Sequence, residues 1–395
     1  MFGFGEASKS DRCAAIVDIG SGSVGIALVH SKVGASAPTI VWSHREHALI
    51  KDVTDIQATV QQINTALINV FLELGATGRK ALKSYDSALQ IETVQAAIAA
   101  PWSYTVTKTV NFTDEHPFTV DDELIESLTE TAEKQAVAAI EETEMHTQGL
   151  EMVIDATINT RINGYNVTRI NDQTGRHVAI AHTSALAEKS ILDTLREGVD
   201  KVVPQAKVTT FSFMYLYYCM LKNQHLDVAE ACLIDITSEA TEVAIVRDGV
   251  LQHVTHAPYG TYTLAREIAS ACVIPKEEAY TYLKGGASFI DEKLSEAAQK
   301  QLAAIISTYE LKIASLFKST GDTLSIPKTV FLHTDQFTEP FFQEHMQNAA
   351  AEATGGNHTI HLVTAKLLAG GEADDTPILL SAHFFHRDMN CDMEV

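Results

Sequence analysis

Asp18-Ile19-Gly20-Ser21-Gly22-Ser23-Val24-Gly25 carries the residue types that hold a polyphosphate. The apolar run Cys13 to Val17 precedes it and Ile26 to Val29 follows, a pattern of strand, tight turn and return strand. Glycines let such a turn take positive φ and let its backbone approach a ligand closely. Successive N–H groups there form an anion nest, and the hydroxyls of Ser21 and Ser23 add donors. Asp18, at the strand end, is placed to hold a phosphate-bound Mg²⁺ through water. A plain Gly/Ser hairpin would explain the same stretch, so support must come from elsewhere in the chain.

It comes from Asp235-Ile236-Thr237-Ser238-Glu239-Ala240-Thr241-Glu242-Val243-Ala244-Ile245-Val246, which also follows an apolar strand, Ala231 to Ile234. Aligned without gaps on Asp18 to Val29, it repeats the Asp, the Ile after it, a Ser, an Ala and the final Val. Internal repetition is a clue to architecture. Two acidic strand–turn–strand units suggest two similar half-domains facing a cleft, where a nucleotide is a natural ligand.

This arrangement resembles the actin-like ATPase superfamily, and within it the FtsA and PilM type, proteins of bacterial cell division and of type IV pilus assembly. Asp18 to Gly25 is similar to the first phosphate motif of that family, and Asp235 to Val246 to the second. Asp248-Gly249 followed by Tyr259-Gly260 resembles its hairpin turn and later glycine. Glu277-Glu278-Ala279, with Lys284 beyond, resembles its adenosine-side Glu-Ala-Glu-x-x-Lys. The resemblance covers nearly the whole chain, and the first motif is its specific part. It implies ATP and Mg²⁺ as cofactors. Asp18 and Asp235 would be the catalytic pair, facing each other around hydrated Mg²⁺. Gly20, Ser21, Gly22 and Ser23, with Thr237 and Ser238, would hold the phosphates, and Lys284 the adenosine.

Departures from the pattern point to weak binding and slow or absent turnover. Glu239 and Thr237 stand where the family prefers glycine. A carboxylate about 4 Å from a phosphate charge, at an effective dielectric near 20, is repelled by roughly 4 kcal/mol. His333-Thr334-Asp335 replaces a Gly-Gly turn. Tyr280 takes the place of the second glutamate, and Lys284 is one position late.

The elements around these motifs set the expected fold class: α/β, two RNase H-like half-domains around a nucleotide cleft, with a small inserted α+β subdomain. Residues 1–88 form the first half. Its third strand is Thr39 to Trp42. A helix with Thr54 and Gln57 as capping box and Ile56, Val60, Ile63, Leu67, Val70 and Leu74 on one face ends at Gly75. The insert is 89–182, from strand-like Val94 to Ala99 through a helix capped by Thr119 and running to about Glu144, to a hairpin at Asn163-Gly164. DnaK-type chaperones and sugar kinases lack a unit at this position. A helix in 183–207, stopping at Gly198, connects to the second half, 208–395. That half holds a helix buried on all sides, Phe211 to Leu221, an outer subdomain at 271–328 and late strands, among them Ile360 to Val363 and Ile378 to Leu380.

With 395 residues the chain can hold two cored domains, and its net charge of -22 opposes nucleic acid and direct attraction to anionic lipid. Five scattered cysteines suggest a reducing cytoplasm. Met1 to Arg12 has no signal-peptide pattern, and Phe211 to Leu221 is far short of the ~20 apolar residues that span a bilayer. The tail, Ser381 to Val395, lacks the basic amphipathic helix by which FtsA binds membrane. Four His-x-x-His pairs, His44/His47, His253/His256, His358/His361 and His383/His386, lack the acid of a metalloprotease pattern.

The expectation is therefore a cytoplasmic actin-like scaffold, brought to the inner face of the membrane by a membrane-anchored partner of a pilus or division machine. The insert would serve docking or self-association. The alternative is an active phosphotransferase or ATPase of the same superfold, sugar kinase- or exopolyphosphatase-like. It would need a substrate-activating acid and an intact glycine-rich adenosine loop.

Overall fold

Two five-stranded sheets of the same topology dominate the computed structural model, which describes residues 11–48, 50, 55–141, 149–223, 228–285, 295–319, 326–335, 338–364, 367 and 375–387. In the first, the order is β3-β2-β1-β4-β9, with β1 Arg12–Ile19, β2 Ser23–Ser31, β3 Thr39–His47, β4 Thr93–Ile98 and β9 Lys207–Ser212. Strands β1 to β3 are antiparallel, and β4 and β9 add in parallel. The second sheet repeats this as β12-β11-β10-β13-β14: β10 Ala231–Ile236, β11 Thr241–Arg247, β12 Val250–Ala257, β13 Thr329–Thr334 and β14 Thr359–Leu362. Strands β10 to β12 are antiparallel, with β13 and β14 parallel. The two repeated motifs are thus the β1–β2 and β10–β11 turns. β1, β2 and β10 are buried almost throughout, as continuous apolar runs predict for strands covered on both faces.

The strands flanking the insert belong to the first sheet. β4 pairs with β1, and β9 pairs with β4. The inserted sheet is therefore β5-β8-β6-β7, from β5 Ser103–Thr119, β6 Leu150–Ile162, β7 Tyr165–Asn166 and β8 Thr174–Glu188, with helix α3 Asp122–Glu141 on it. Val94 to Ile98, taken from sequence as the start of the insert, and Val208 to Ser212, taken as the start of the second half, are parallel strands of one sheet. Nothing local in either segment marks that pairing. Asn163 and Gly164 both take positive φ at the expected hairpin.

Helix α1, Ile56–Glu73, is capped by Asp55, whose side chain accepts from the Ala58 N–H, rather than by Thr54, which lies outside the described residues. It does not end at Gly75. A π-turn, Leu74–Gly78, carries it into α2, Arg79–Tyr85. Gly198, likewise, lies inside α4, Lys189–Val202. A Cβ at Gly198 would come within 2.4 Å of the Phe71 ring, and one at Gly78 within 2.9 Å of Trp42. These glycines serve close packing and not helix termination.

Helix α5, Phe213–Asn223, is buried from Phe213 to Leu221, and its last turn carries Lys222. It sits in the core that joins the halves, against Leu233, Ala244 and Val246 of the second sheet and Leu380 and Phe384 of the last helix. Cys219 on α5 is disulfide-bonded, whereas Cys13, Cys232 and Cys272 are free thiols. The second half adds α6 Thr261–Cys272, α7 Lys276–Gly285, α8 Glu296–Ser319 and α9 Glu339–Thr354.

Ile378 to Leu380, expected as a strand, is helical, within α10, Thr376–Arg387. This helix returns to the first sheet, packing Ile378, Ala382 and Phe385 on Ala14, Ile16, Ala27 and Val29. Arg12 Nη2 donates to the Phe385 carbonyl and Gln95 Nε2 to that of Ser381. The other face of the same sheet is covered by α1 and α4. Residues 388–395 of the tail lie outside the described residues.

The packing role of these glycines is testable. Gly198→Val should destabilise the fold by about 1–3 kcal/mol through overpacking against Phe71. Gly75→Ala, whose Cβ would meet nothing closer than 3.6 Å, should be neutral or stabilising by ~0.5–1 kcal/mol. Urea unfolding of both variants checks the order; equal stabilities would refute it.

Candidate functional site

The β1–β2 and β10–β11 turns meet across the cleft, and the structure brings Asp18, Gly20, Ser21, Ser23, Asp235, Thr237 and Ser238 to one cavity, floored by Phe213. The turns are in contact. The Glu239 N–H donates to Ser21 Oγ at 2.7 Å, and Ser21 Oγ lies 2.6 Å from Thr237 Oγ1, which bonds on to the Ala240 carbonyl. One hydrogen-bond chain therefore sews loop to loop. Gly22 sits so close to the second loop that a Cβ would lie 2.6 Å from Ser238 Cβ. Gly260 backs the second turn: its Cβ would meet the Thr237 carbonyl at 2.1 Å, so only glycine fits without a shift.

Each acid that was expected to face metal or phosphate already holds a cationic or hydrogen-bonding partner. Arg45, on β3, donates from Nη2 to Asp18 Oδ2 at 2.7 Å and from Nη1 to Ser23 Oγ at 2.8 Å. It also grips Asp375 with two bonds, Nε to Oδ2 and Nη2 to Oδ1, at 2.7 and 2.8 Å. Asp235 Oδ1 lies 2.7 Å from His333 Nδ1. Asp335 accepts from Ser238 Oγ and Thr261 Oγ1. Glu239 turns its carboxylate onto Arg266, 2.5 Å from each of two guanidinium nitrogens, and onto Thr263. The repulsion expected from Glu239 is thereby compensated by a cation that spacing did not reveal. Lys284 stands apart from the cavity lining, over the Tyr280 ring at 5.0 Å. Tyr280 meets Tyr262, and Tyr262 meets His47 of the first half, so aromatic contacts close the cleft mouth.

Burial governs the electrostatics. It pushes Asp18 up to about 6 despite Arg45. It likewise raises Asp335 to about 6, against the two hydroxyl donors. Burial also works on Asp375, but Arg45 outweighs it and holds that carboxyl below its ordinary range. Desolvation opposes charge on Arg45, yet Asp375 and Asp18 keep its guanidinium above the usual value. Beneath the cleft, burial and the neighbouring Asp235 drive Glu242 well above the normal carboxylate range, and Asp235 and Glu242 pair across β10 and β11.

A Mg-nucleotide does not fit between the loops as they stand. The cavity measures about 20 Å³, room for roughly one water. Arg45 takes one carboxylate oxygen of Asp18, Oδ2, and His333 one of Asp235, Oδ1. Among the described residues no cluster of three or more His, Cys, Asp or Glu is arranged to hold a metal. His44/His47 and His253/His256 lie on strands, where i and i+3 point to opposite faces. His383 and His386 lie on α10, with His386 bonded to Ser31 and to the Ala35 carbonyl.

Sequence reasoning missed Arg45, Arg266 and Asp375. One signal was present for Arg45. It faces Gly25 in the β2–β3 register, and a Cβ at Gly25 would come within 2.6 Å of its Nη2. The last glycine of the motif makes room for an arginine.

The raised carboxyls give a pH signature. A folded value near 6 for Asp335, above the 3.8 of an ordinary Asp, means the fold binds a proton more tightly than the unfolded chain. Its stabilisation is full below about pH 4 and is lost as pH rises through 6. Relative to Asp335→Asn, wild type should therefore lose on the order of 2 kcal/mol between pH 4 and 7. Chemical denaturation of both proteins across that window measures it, and parallel curves would refute the assignment.

No protein-family model matches the chain, and no curated protein does. Solved structures do. A PilM from a PilM–PilN type IV pilus biogenesis complex is 13% identical, with 93% of this chain and 96% of that one covered, at a TM-score of 0.53. The ethanolamine utilization protein EutJ from Carboxydothermus hydrogenoformans is 15% identical over 94% and 89%, at 0.44. A Bacteroides thetaiotaomicron protein of actin-like ATPase fold and unknown function is 10% identical over 91% and 94%, at 0.42. The last two scores are too low to carry an argument. The PilM match spans both chains almost fully, and it agrees with the paired sheets and insert described above: this chain has the actin-like ATPase fold in a PilM-like arrangement.

Proposed function

We propose that this protein is an actin-fold scaffold without turnover, and that it docks onto a cytoplasmic segment of a membrane-anchored protein in a pilus- or division-type machine. The observation that carries the reading is the direct contact of the two loops, Ser21 Oγ with Thr237 Oγ1 and with the Glu239 N–H. In a nucleotide-driven actin fold, an ion and polyphosphate would bridge the halves. Here side chains bridge them, and the bridge needs no ligand. A Mg-nucleotide is at most a weak ligand, because its entry must separate the two hydrogen-bonded loops and displace an ion pair. The missing adenosine-side glycines and the tethered Asp335 argue the same way against a phosphotransferase, which needs an untethered acid to activate its acceptor. The partner follows from the likeness to PilM, solved in complex with PilN. Among the described residues no helix is long and apolar enough to cross a membrane, so the anchor is assigned to that partner. The insert supports docking: it reaches from the first half to the second through Tyr104 against His256 and Arg161 against Asp248.

Calorimetric titration of Mg-ATP, together with a phosphate-release assay, tests the reading. Wild type should bind in the millimolar range or not at all and release phosphate no faster than blank. Removing one partner of a buried pair costs ~3–5 kcal/mol, so Arg45→Ala should lower stability without conferring turnover. Micromolar binding or catalytic release by wild type would replace the scaffold with the phosphotransferase. A chain lacking the insert, expressed in cells, should disperse from the envelope; unchanged localisation would count against the docking role.

A further inference from the structure

A groove of about 890 Å³ opens on the first half, far from the cleft, between α2, the segment leading into β4, and the loop from α4 to β9. Its composition is unlike that of the protein as a whole. The chain carries -22 net charge, yet four cations line this groove: Arg79, Lys80, Lys83 and Lys201. All four are exposed. Lys201 bonds Glu197 of its own helix at 3.1 Å, and Glu92 is the acid in the lining. Arg79, Lys80 and Lys83 enter no ion pair among the described residues. Between the cations the lining is mixed, with Ser87, Gln90 and Gln205 beside apolar side chains. Leu82 and Val203 are buried, while Leu89, Ile91 and Val202 are half-buried and packed on the core of the first half. Basic side chains thus rim a partly apolar surface.

Two kinds of surface could meet such a rim, and the observations favour one. A flat anionic membrane would reach the lysines but not the recessed floor, and the rest of the protein's charge would repel it. A peptide can place leucine-like side chains on Leu82, Leu89 and Val202 while its carboxylates meet the rim. We propose that this groove is a docking site for an acidic peptide segment with apolar anchor residues, supplied by a partner protein. The site lies outside the inserted subdomain and does not depend on whether the cleft takes nucleotide.

The test uses the full chain and a fluorescent peptide that alternates glutamate or aspartate with leucine, read by anisotropy. Its lysine-for-glutamate counterpart and phosphatidylglycerol vesicles serve as competing probes. Wild type should bind the acidic peptide, more weakly as salt is raised past a Debye length of ~8 Å, and should ignore the basic one. Lys80→Glu combined with Lys83→Glu, both exposed positions on α2, should weaken binding at least tenfold. Lys300→Glu, exposed on α8, should leave it unchanged, and both variants should keep the wild-type melting temperature and Mg-ATP response. No binding of the acidic peptide, equal loss in the Lys300 variant, or binding to vesicles in place of peptide would overturn the proposal.

Discussion

One guanidinium holds the architecture of the cleft together. Arg45 joins the edge strand of the first sheet to Asp18 at the end of its central strand, to Ser23 beyond the turn, and to Asp375 before the last helix. Asp375 also caps that helix, its Oδ1 accepting from the Ile378 N–H, so the ion pair fixes where the C-terminal segment returns to the N-terminal sheet. A carboxylate as deeply buried as Asp18 cannot remain charged without a nearby cation. In this chain that cation belongs to the fold. Placing it there fixes the position of the first loop.

The second half solves the same problem with different groups. Asp235 has His333, one strand over in the parallel ladder, and Glu239 has Arg266. Asp335 is satisfied by hydroxyls. The pseudo-symmetry of the fold therefore survives in the strands and not in the chemistry. Equivalent acids face the cleft from both sheets, but a guanidinium neutralises one and an imidazole partners the other. Contact through Ser21, Thr237 and Gly22 then closes the loops directly on each other. A ligand-operated hinge requires two states of comparable free energy. Here a ligand would have to break an ion pair and a hydrogen-bond chain to reach the second.

Closure of the cleft also directs attention to the outer surface. The groove is lined by α2, by the segment leading into β4 and by the loop from α4 to β9. Leu89, Ile91 and Val202 of that lining pack on the core of the first half.

Local pattern alone determined the strand–turn–strand repeats, the apolar helix after Val208 and the hairpin at Asn163-Gly164. These depend on periodicity, turn chemistry and apolar runs, all readable over a few residues. Pattern misled where a residue's role is set by what lies opposite. Gly75 and Gly198 read as helix ends, although Gly198 exists to admit Phe71. Ile378 to Leu380 read as a strand, because a short apolar run has no period of its own. Asp18, Asp235 and their loops were legible as a facing pair. Their partners were not: Arg45 meets Asp375 across 330 positions, and His333 meets Asp235 across 98. The sequence by itself determined the two acidic strand–turn–strand loops. Only the tertiary structure decided that they face cations, imidazole, hydroxyls and each other, because charge compensation in a buried site depends on distances that the folded chain alone defines.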